Sequence, residues 1–539
     1  MRKIDINTLR RVMRRLEVIA VVALLASALW ASSAGAATLR WANDQDVFSL
    51  DPYARQETFL LSFVSNIYEP LVRRGRDLRL EPALALRWSE VASNRWRFEL
   101  RRGVHFQDGA PFTADDVVFS FARATGPGSN LAHPLAHLHN VTKVDDFTVD
   151  IETNGADPIL PQEIAVWDIM SAKWCAENDT AQPADAVNAA DSYAADHANG
   201  TGPFMLETRQ PDVETVLVPN PNWWDKPEHN LDRVIFRPAL PKNAVAGLLA
   251  GTLDMIYSVP PQATDRIARA KGVHLVQGPE LRTIFLGFNF AREDLADSNM
   301  KGRNPFRDRR VRQAFYQAID ENAIKTKVMR GFATPSALLV GPGVLGFDPA
   351  LNQRLPYDPA AAKTLLAEAG FPNGFSAGMD CPNDRYVNDE AICDAVVAML
   401  AKVGVKLRLS VETRSRFFGK LLEPDYRASF FLLGWAPPTY DALNTLVNLA
   451  ATRNKDAHQG DANFSGYSNP ELDRLIGEIG HESNESKRLE LLRQALALVK
   501  DDIAYIPLHQ QDIVWAARDN VELVQEADGT FPLRYVRVK

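Results

Sequence analysis

Cysteine is scarce in this chain of 539 residues: there are three, Cys175, Cys381 and Cys393. That excludes a small disulfide-framework protein, and an odd count leaves at least one thiol without an intramolecular partner. Cys381 and Cys393 are near enough in sequence for a local bridge in an oxidising compartment; three unpaired buried thiols is the equal reading, since sequence carries no distance. No cysteine precedes Cys175, so no lipid-attachment cysteine stands near the N-terminus. Excess positive charge is also lacking. The formal net charge of -8 argues against nucleic acid or anionic lipid as the main partner. No glycine-rich loop closes on Lys-Ser/Thr, which excludes a P-loop ATPase. Repeats and low-complexity tracts are missing too. The apolar run Val18–Trp30 has about a dozen residues, whereas a membrane span needs about 20.

An apolar content of 46% over this length supplies more than one hydrophobic core. At the N-terminus the basic stretch Met1–Arg15 precedes Val18–Trp30, and small residues then offer an Ala-x-Ala site at Ala34–Ala36. This is the order of a secretory signal, read here as residues 1–36, with a periplasmic mature product. The arginine pairs at 10–11 and 14–15 are not followed by residues that complete a twin-arginine export motif. Removing residues 1–36 leaves 54 basic and 66 acidic residues, a net charge of -12.

Strands and helices alternate along the rest. Thr38–Trp41 reads as an opening strand, Gln56–Tyr68 has helical apolar spacing, and Trp96–Leu100 alternates as a half-buried strand does. Phe106–Gly109 is a tight turn, and Thr113 caps a helix whose first turn holds Asp115 and Asp116, where carboxylates suit the helix dipole. Asp308–Asp320, Pro359–Gly370 and Glu485–Lys500 read as helices, Val405–Val411 as a strand.

Residue order then becomes informative. The segment LEPALALRWSEVASNRWRFELRRGVHFQDGAPFTADDVVFSFARA (80–124) resembles the signature block of the family-5 extracellular solute-binding proteins of ABC importers, the dipeptide, oligopeptide and nickel-binding type. Further blocks keep that family's order: GTGPFMLETRQPDVETVLVPNPNWWD (200–225), AVAGLLAGTLDMIYSVPP (244–261), NPFRDRRVRQAFYQAID (304–320), YDPAAAKTLLAEAGFPNGF (357–375), FFLLGWAPPTYD (430–441) and IPLHQ (506–510). The resemblance implies an α/β, two-lobed periplasmic-binding-protein fold with hinge strands and an extra subdomain inserted in lobe one. Lobe one would span 38–285 with the inserted subdomain at about 75–195, lobe two 286–507, and 508–539 would return to lobe one. Thr283–Phe290 and Ala504–Gln510 would be the hinge strands. The implied role is capture of a peptide or peptide-like solute by lobe closure and delivery to the permease subunits in the inner membrane. The protein would act as a monomer without cofactor or resident metal, and not as an enzyme.

The resemblance also implies where the ligand sits. In the family the Gly-Trp pair, here Gly434–Trp435, ends a lobe-two strand, and the following loop lines the cleft. Trp435 is therefore expected to face the ligand, offering apolar area and one N–H donor. Peptide binders of the family carry an aspartate three residues after this tryptophan, and here that position is Pro438. Tyr440 and Asp441 follow, an arrangement that also resembles nickel-chelate binders. Asp441 is read as a carboxylate for a cationic ligand group and, equally, as the N-cap of a helix Ala442–Leu449, two roles that one residue can serve together. Tyr53 and Asn444 are further wall candidates by position. The missing aspartate keeps open a non-peptide solute such as a metal chelate, an opine-like compound or a sugar conjugate.

Two patterns suggest other chemistry. Gly374-Phe-Ser-Ala-Gly378 matches a hydrolase nucleophile elbow around Ser376, but that chemistry needs a strand–turn–helix context, and Pro382 opposes an immediate helix. His133, His137 and His139 lie together in HPLAHLHN, where Pro134 discourages one helix from presenting all three. They are read as a solvated loop rather than a zinc or nickel site.

Overall fold

The computed structural model describes residues 37–539 except 56, 133–134, 184–191, 296 and 423–428. The expected leader at 1–36 and His133 lie outside the described residues.

Two long strands, Val273–Phe288 and Tyr505–Arg518, pair antiparallel at the middle of an 11-stranded sheet. On one side of this pair come Phe430–Trp435, Ser376–Pro382 and Lys406–Glu412. On the other come Met255–Ile256, Thr38–Asn43, Arg233–Pro238, Glu214–Pro219 and Phe204–Gln210. Each half of the sheet carries its own hydrophobic core. Trp41, Phe63, Phe236, Trp515 and Phe531 cluster in the first half; Phe288, Phe306, Phe315 and Phe430 cluster in the second. The long strands are thus the shared spine between two separately packed bodies.

The spine extends well beyond the apolar segments expected as hinge strands. Val273–Pro279 pairs with Asp512–Arg518 in the first half, and Thr283–Gly287 with Tyr505–Gln510 in the second. Between them the register shifts, and Glu280–Arg282 falls at the shift. An irregular ladder there leaves charged side chains free to point out of the sheet, which is why this stretch does not read as a buried strand.

A second, four-stranded antiparallel sheet is built from Ala85–Ala92, Arg95–Leu100, Thr148–Thr153 and Leu138–Asp145. The helix Ala114–Thr125 packs beside it. Its start is a capping box: Thr113 Oγ1 accepts from the Asp115 N–H, and the Asp116 carboxylate accepts from the Thr113 N–H. Asp116 also accepts from the Ala172 N–H at 3.0 Å, so one side chain joins two helices. In the second half Asp308 caps Arg309–Ala318, and Asp358 caps Pro359–Glu368. The expected helix at Gln56–Tyr68 is shorter, Thr58–Val64.

The GTGPF block has a steric reason. A Cβ on Gly200 would stand 2.0 Å from the Ile67 carbonyl oxygen, and the Gly202 N–H donates to that same carbonyl at 2.9 Å. Only glycine permits the two segments to touch backbone to backbone.

Candidate functional site: a cleft between the two halves

A cavity of about 870 Å³ opens between the halves at the level where the spine's register breaks. The first half contributes Asp44, Arg55, Glu57, Tyr257 and Trp515; the second contributes Phe332, Arg385, Arg414 and Phe418; the spine contributes Glu280, Gln511 and Asp512. This size holds a solute of a few hundred daltons, and the aromatic rings provide apolar contact.

Positive charge is concentrated on the second half. Arg282 donates to Glu280 at 3.0 Å, and Gln511 donates to the other Glu280 oxygen at 2.5 Å. Glu280 is therefore committed to Arg282, whose guanidinium is held above its usual range: burial opposes the charge, and Glu280 outweighs it. Arg385 has no ion-pair partner among the described residues. Burial pulls its guanidinium below the usual range, and the charges of Arg282 and Arg414 act the same way. A half-buried cation beside two others is the arrangement that an anionic ligand group relieves.

The local fold aims Arg385. Asp389 Oδ2 accepts from the backbone N–H groups of both Arg385 and Tyr386, each at 3.0 Å, and Oδ1 accepts from Glu390. Asp389 begins the helix Asp389–Ala401, after Asn388 in the left-handed region at φ 56°. Cys381, in strand Ser376–Pro382, is disulfide-bonded to Cys393 in that helix. The turn that carries Arg385 is thus closed covalently at its base. Cys175 is buried and free.

Acceptors face the cavity from the spine. Gln511 Oε1 and Asp512 Oδ1 are buried without a hydrogen-bond partner among the described residues. Burial raises the Asp512 carboxyl above its usual range, although Lys325 and His509 pull it down. Asp44 and Glu57 add carboxylates on the first half, and Arg55 there lies over the Phe48 ring at 3.7 Å.

None of the five residues expected in the site is among those that line this cavity. Trp435 ends the strand Phe430–Trp435 half-buried, and its indole N–H donates to Asn444 Oδ1 at 3.2 Å, so two expected residues engage each other. Asp441 must be corrected. It is fully buried, caps the helix Ala442–Thr445 through the Leu443 N–H, and holds Arg488 with both oxygens at 2.6 and 3.0 Å. The N-cap reading stands, and the buried carboxylate pairs with Arg488 rather than lining the cavity. Tyr440 is also buried, at φ 58°; its hydroxyl donates to Asp528, and Arg74 lies 3.7 Å over its ring. Arg74 further donates to the Thr439 carbonyl at 3.0 Å. The loop thus docks one half on the other, with Pro438 exposed. Tyr53 is likewise corrected: it is fully buried in the core of the first half and donates to the Asp168 carbonyl at 2.7 Å. Position after the first strand did not reveal which way the ring turns.

Ser376 opens a strand rather than an elbow, and its Oγ accepts from the Asn299 N–H at 3.1 Å. His139 is exposed, while His137 turns towards Asp157 and Glu163. Sequence reasoning missed Arg385, Arg414, Glu280, Gln511 and Asp512. The available signal was the polar and charged residues that directly flank the apolar hinge segments, Glu280, Gln511 and Asp512, together with an acidic residue, Asp389, shortly after Arg385.

Two α/β bodies sharing a paired-strand spine, with a charged cleft between them, form an arrangement suited to holding a solute. The profile of the bacterial extracellular solute-binding proteins, family 5 (middle part), matches residues 79–457, and the chain belongs to that family. Family 5 proteins are the solute-binding components of ABC importers; they bind small solutes or peptides and work with ABC permeases. The glutathione-binding protein GsiB of Salmonella typhimurium is 26% identical over 487 residues, covering 88% of this chain and 89% of that one. Heme-binding protein A of Haemophilus influenzae is 30% identical over 458 residues, covering 80% and 78%. Among solved structures, HbpA2 from Haemophilus parasuis superimposes with a TM-score of 0.79 at 24% identity, covering 93% of this chain and 100% of that one. The periplasmic binding protein DppA from Helicobacter pylori, in complex with the peptide STSA, gives 0.72 at 22%, covering 93% and 98%. The two-lobed fold expected from the sequence is the fold of these relatives. Among the described residues no helix is long and apolar enough to cross a membrane.

Proposed function

We propose that the cleft captures a small peptide-like solute carrying both a carboxylate and an amine, for delivery to the importer's permease. The observation that carries this is Arg385, a half-buried guanidinium without an ion-pair partner among the described residues, beside Arg282 and Arg414. The orphan acceptors of Gln511 and Asp512 provide the complementary end for a donor group. Glutathione and other short peptides, which relatives are named for binding, have this chemistry and fit the volume.

On this reading the anchor that Pro438 lacks is supplied by the spine rather than by the Trp435 loop. Lobe one is 38–285 with 508–539, lobe two is 286–507, and residues 75–195 form an inserted subdomain. Support comes from the separate hydrophobic cores and the separate four-stranded sheet. Residues 1–36 are a cleaved leader, the mature protein is a periplasmic monomer, and it does not hydrolyse what it binds.

A thermal-shift screen of the mature protein against peptides, their C-terminal amides and N-acetylated forms tests this. A ligand at 100 times its dissociation constant stabilises by about 2.7 kcal/mol. Free peptides should shift the transition and amides should not. Equal shifts by peptide and amide would reject the carboxylate assignment.

A further inference from the structure

Away from the cleft, three side chains from separate segments converge in the first half. His137 stands just before the strand Leu138–Asp145, Asp157 lies in the connection after Thr148–Thr153, and Glu163 ends the helix Leu160–Glu163. His137 Nε2 is 2.8 Å from Glu163 Oε2 and 3.6 Å from Asp157 Oδ2, and the three donor atoms all lie within 4.8 Å of one another. Two ligands bound to one ion at about 2.1 Å stand roughly 3.0–3.4 Å apart in octahedral or tetrahedral geometry. The two histidine–carboxylate separations are already near that spacing.

The framework holds them in place. The His137 carbonyl accepts from the Asn154 N–H at 2.9 Å, and the Asp157 carbonyl accepts from Trp96 Nε1 at 2.9 Å. Asp157 Oδ1 accepts from the Ile159 N–H at 3.1 Å, leaving Oδ2 turned to the histidine.

From this convergence we propose that His137, Asp157 and Glu163 form a binding site for one first-row divalent transition ion, zinc(II) by preference. One imidazole nitrogen and two carboxylate oxygens suit zinc or its neighbours; magnesium and calcium favour all-oxygen sets. Three protein ligands leave a position for water, and the His137 side chain, 31% exposed, provides the path of entry. The ion would tie together three segments that backbone hydrogen bonds join only pairwise. Arg74, which bonds the Gln162 carbonyl next to Glu163, also bonds Thr439 across the interlobe contact, so the site lies behind that contact.

The test uses the mature protein stripped with a chelator and titrated with zinc chloride by calorimetry. One equivalent should bind, and His137→Ala or Glu163→Gln should weaken that equivalent at least about a hundredfold. Magnesium and calcium chloride should give no heat at the same concentrations. An ordinary histidine–glutamate ion pair would instead give no saturable zinc site, or one that survives both substitutions, and either result overturns the proposal. Cobalt(II) loaded into the wild-type protein serves where a variant fails to fold. Visible d–d bands and a paramagnetically shifted imidazole resonance are expected with one equivalent, and their absence equally refutes the site.

Discussion

Replacing Arg385 separates ligand recognition from folding. Its half-buried guanidinium lies near Arg282 and Arg414 without an ion-pair partner among the described residues, so in the empty protein it meets their repulsion, with the Tyr386 ring at 5.2 Å as its aromatic neighbour. Arg385→Met keeps much of the apolar stem and removes the charge. The unliganded variant should unfold within about 1 kcal/mol of wild type, or slightly later. With a carboxylate ligand the result differs. A charge-assisted hydrogen bond contributes about 1.5–3 kcal/mol, which is roughly a tenfold to 150-fold loss in affinity. Arg385→Lys should fall between, since a lysine keeps the charge and loses the two-pronged geometry. Calorimetry on wild type and variant, with the best peptide of the screen and its C-terminal amide, completes a double-mutant cycle. The amide should lose on wild type about what the peptide loses on Arg385→Met, and the double change should lose little more. Additive losses would mean that the carboxylate binds elsewhere, and an equal drop in unliganded stability would mean that Arg385 is structural.

Asp441→Asn leaves Arg488 buried and uncompensated, so denaturant unfolding should show a loss of about 3–5 kcal/mol, with ligand affinity of the folded fraction unchanged. Removing the Cys381–Cys393 bridge by paired serine substitutions opens a loop with a separation of 12 residues and should cost about 3 kcal/mol in urea unfolding; no loss would show that the bridge does not constrain the unfolded chain. Burial, and then the charge of Glu69, push the Asp168 carboxyl up to about 7. Between the ordinary range near 4 and that value the folded protein holds a proton that the unfolded chain has released. Stability therefore falls as pH rises through this window, by up to about 1.4 kcal/mol per unit. Asp168→Asn should flatten the urea midpoint between pH 4.5 and 7, and an unchanged slope would refute the assignment.

Much of the fold is local and was legible as such. The capping residues Thr113, Asp308 and Asp358 announce their helices because a cap depends on residues within one turn. The glycines at 200 and 202 mark a family block because a backbone contact forbids any side chain there. The order of such blocks along the chain carried the two-lobed architecture. The spine was only half visible. Its apolar stretch Thr283–Phe288 reads as a strand, whereas Val273–Arg282, interrupted by Gly278 and Pro279, gains its strand character from the partner Asp512–Arg518.

The site is the part that tertiary structure decided. Asp441 and Tyr53 have the chemistry of cleft residues, but Arg488 and the Asp168 carbonyl, 47 and 115 positions away, take up their polar atoms. Arg385, Glu280 and Asp512 lie far apart in sequence and meet only because the spine crosses between two bodies that approach from either side. Caps and turns depend on neighbours within a few residues, so the sequence by itself determines them. Which charges remain unpaired in a cleft depends on every segment that packs against it, and only the assembled structure decides that.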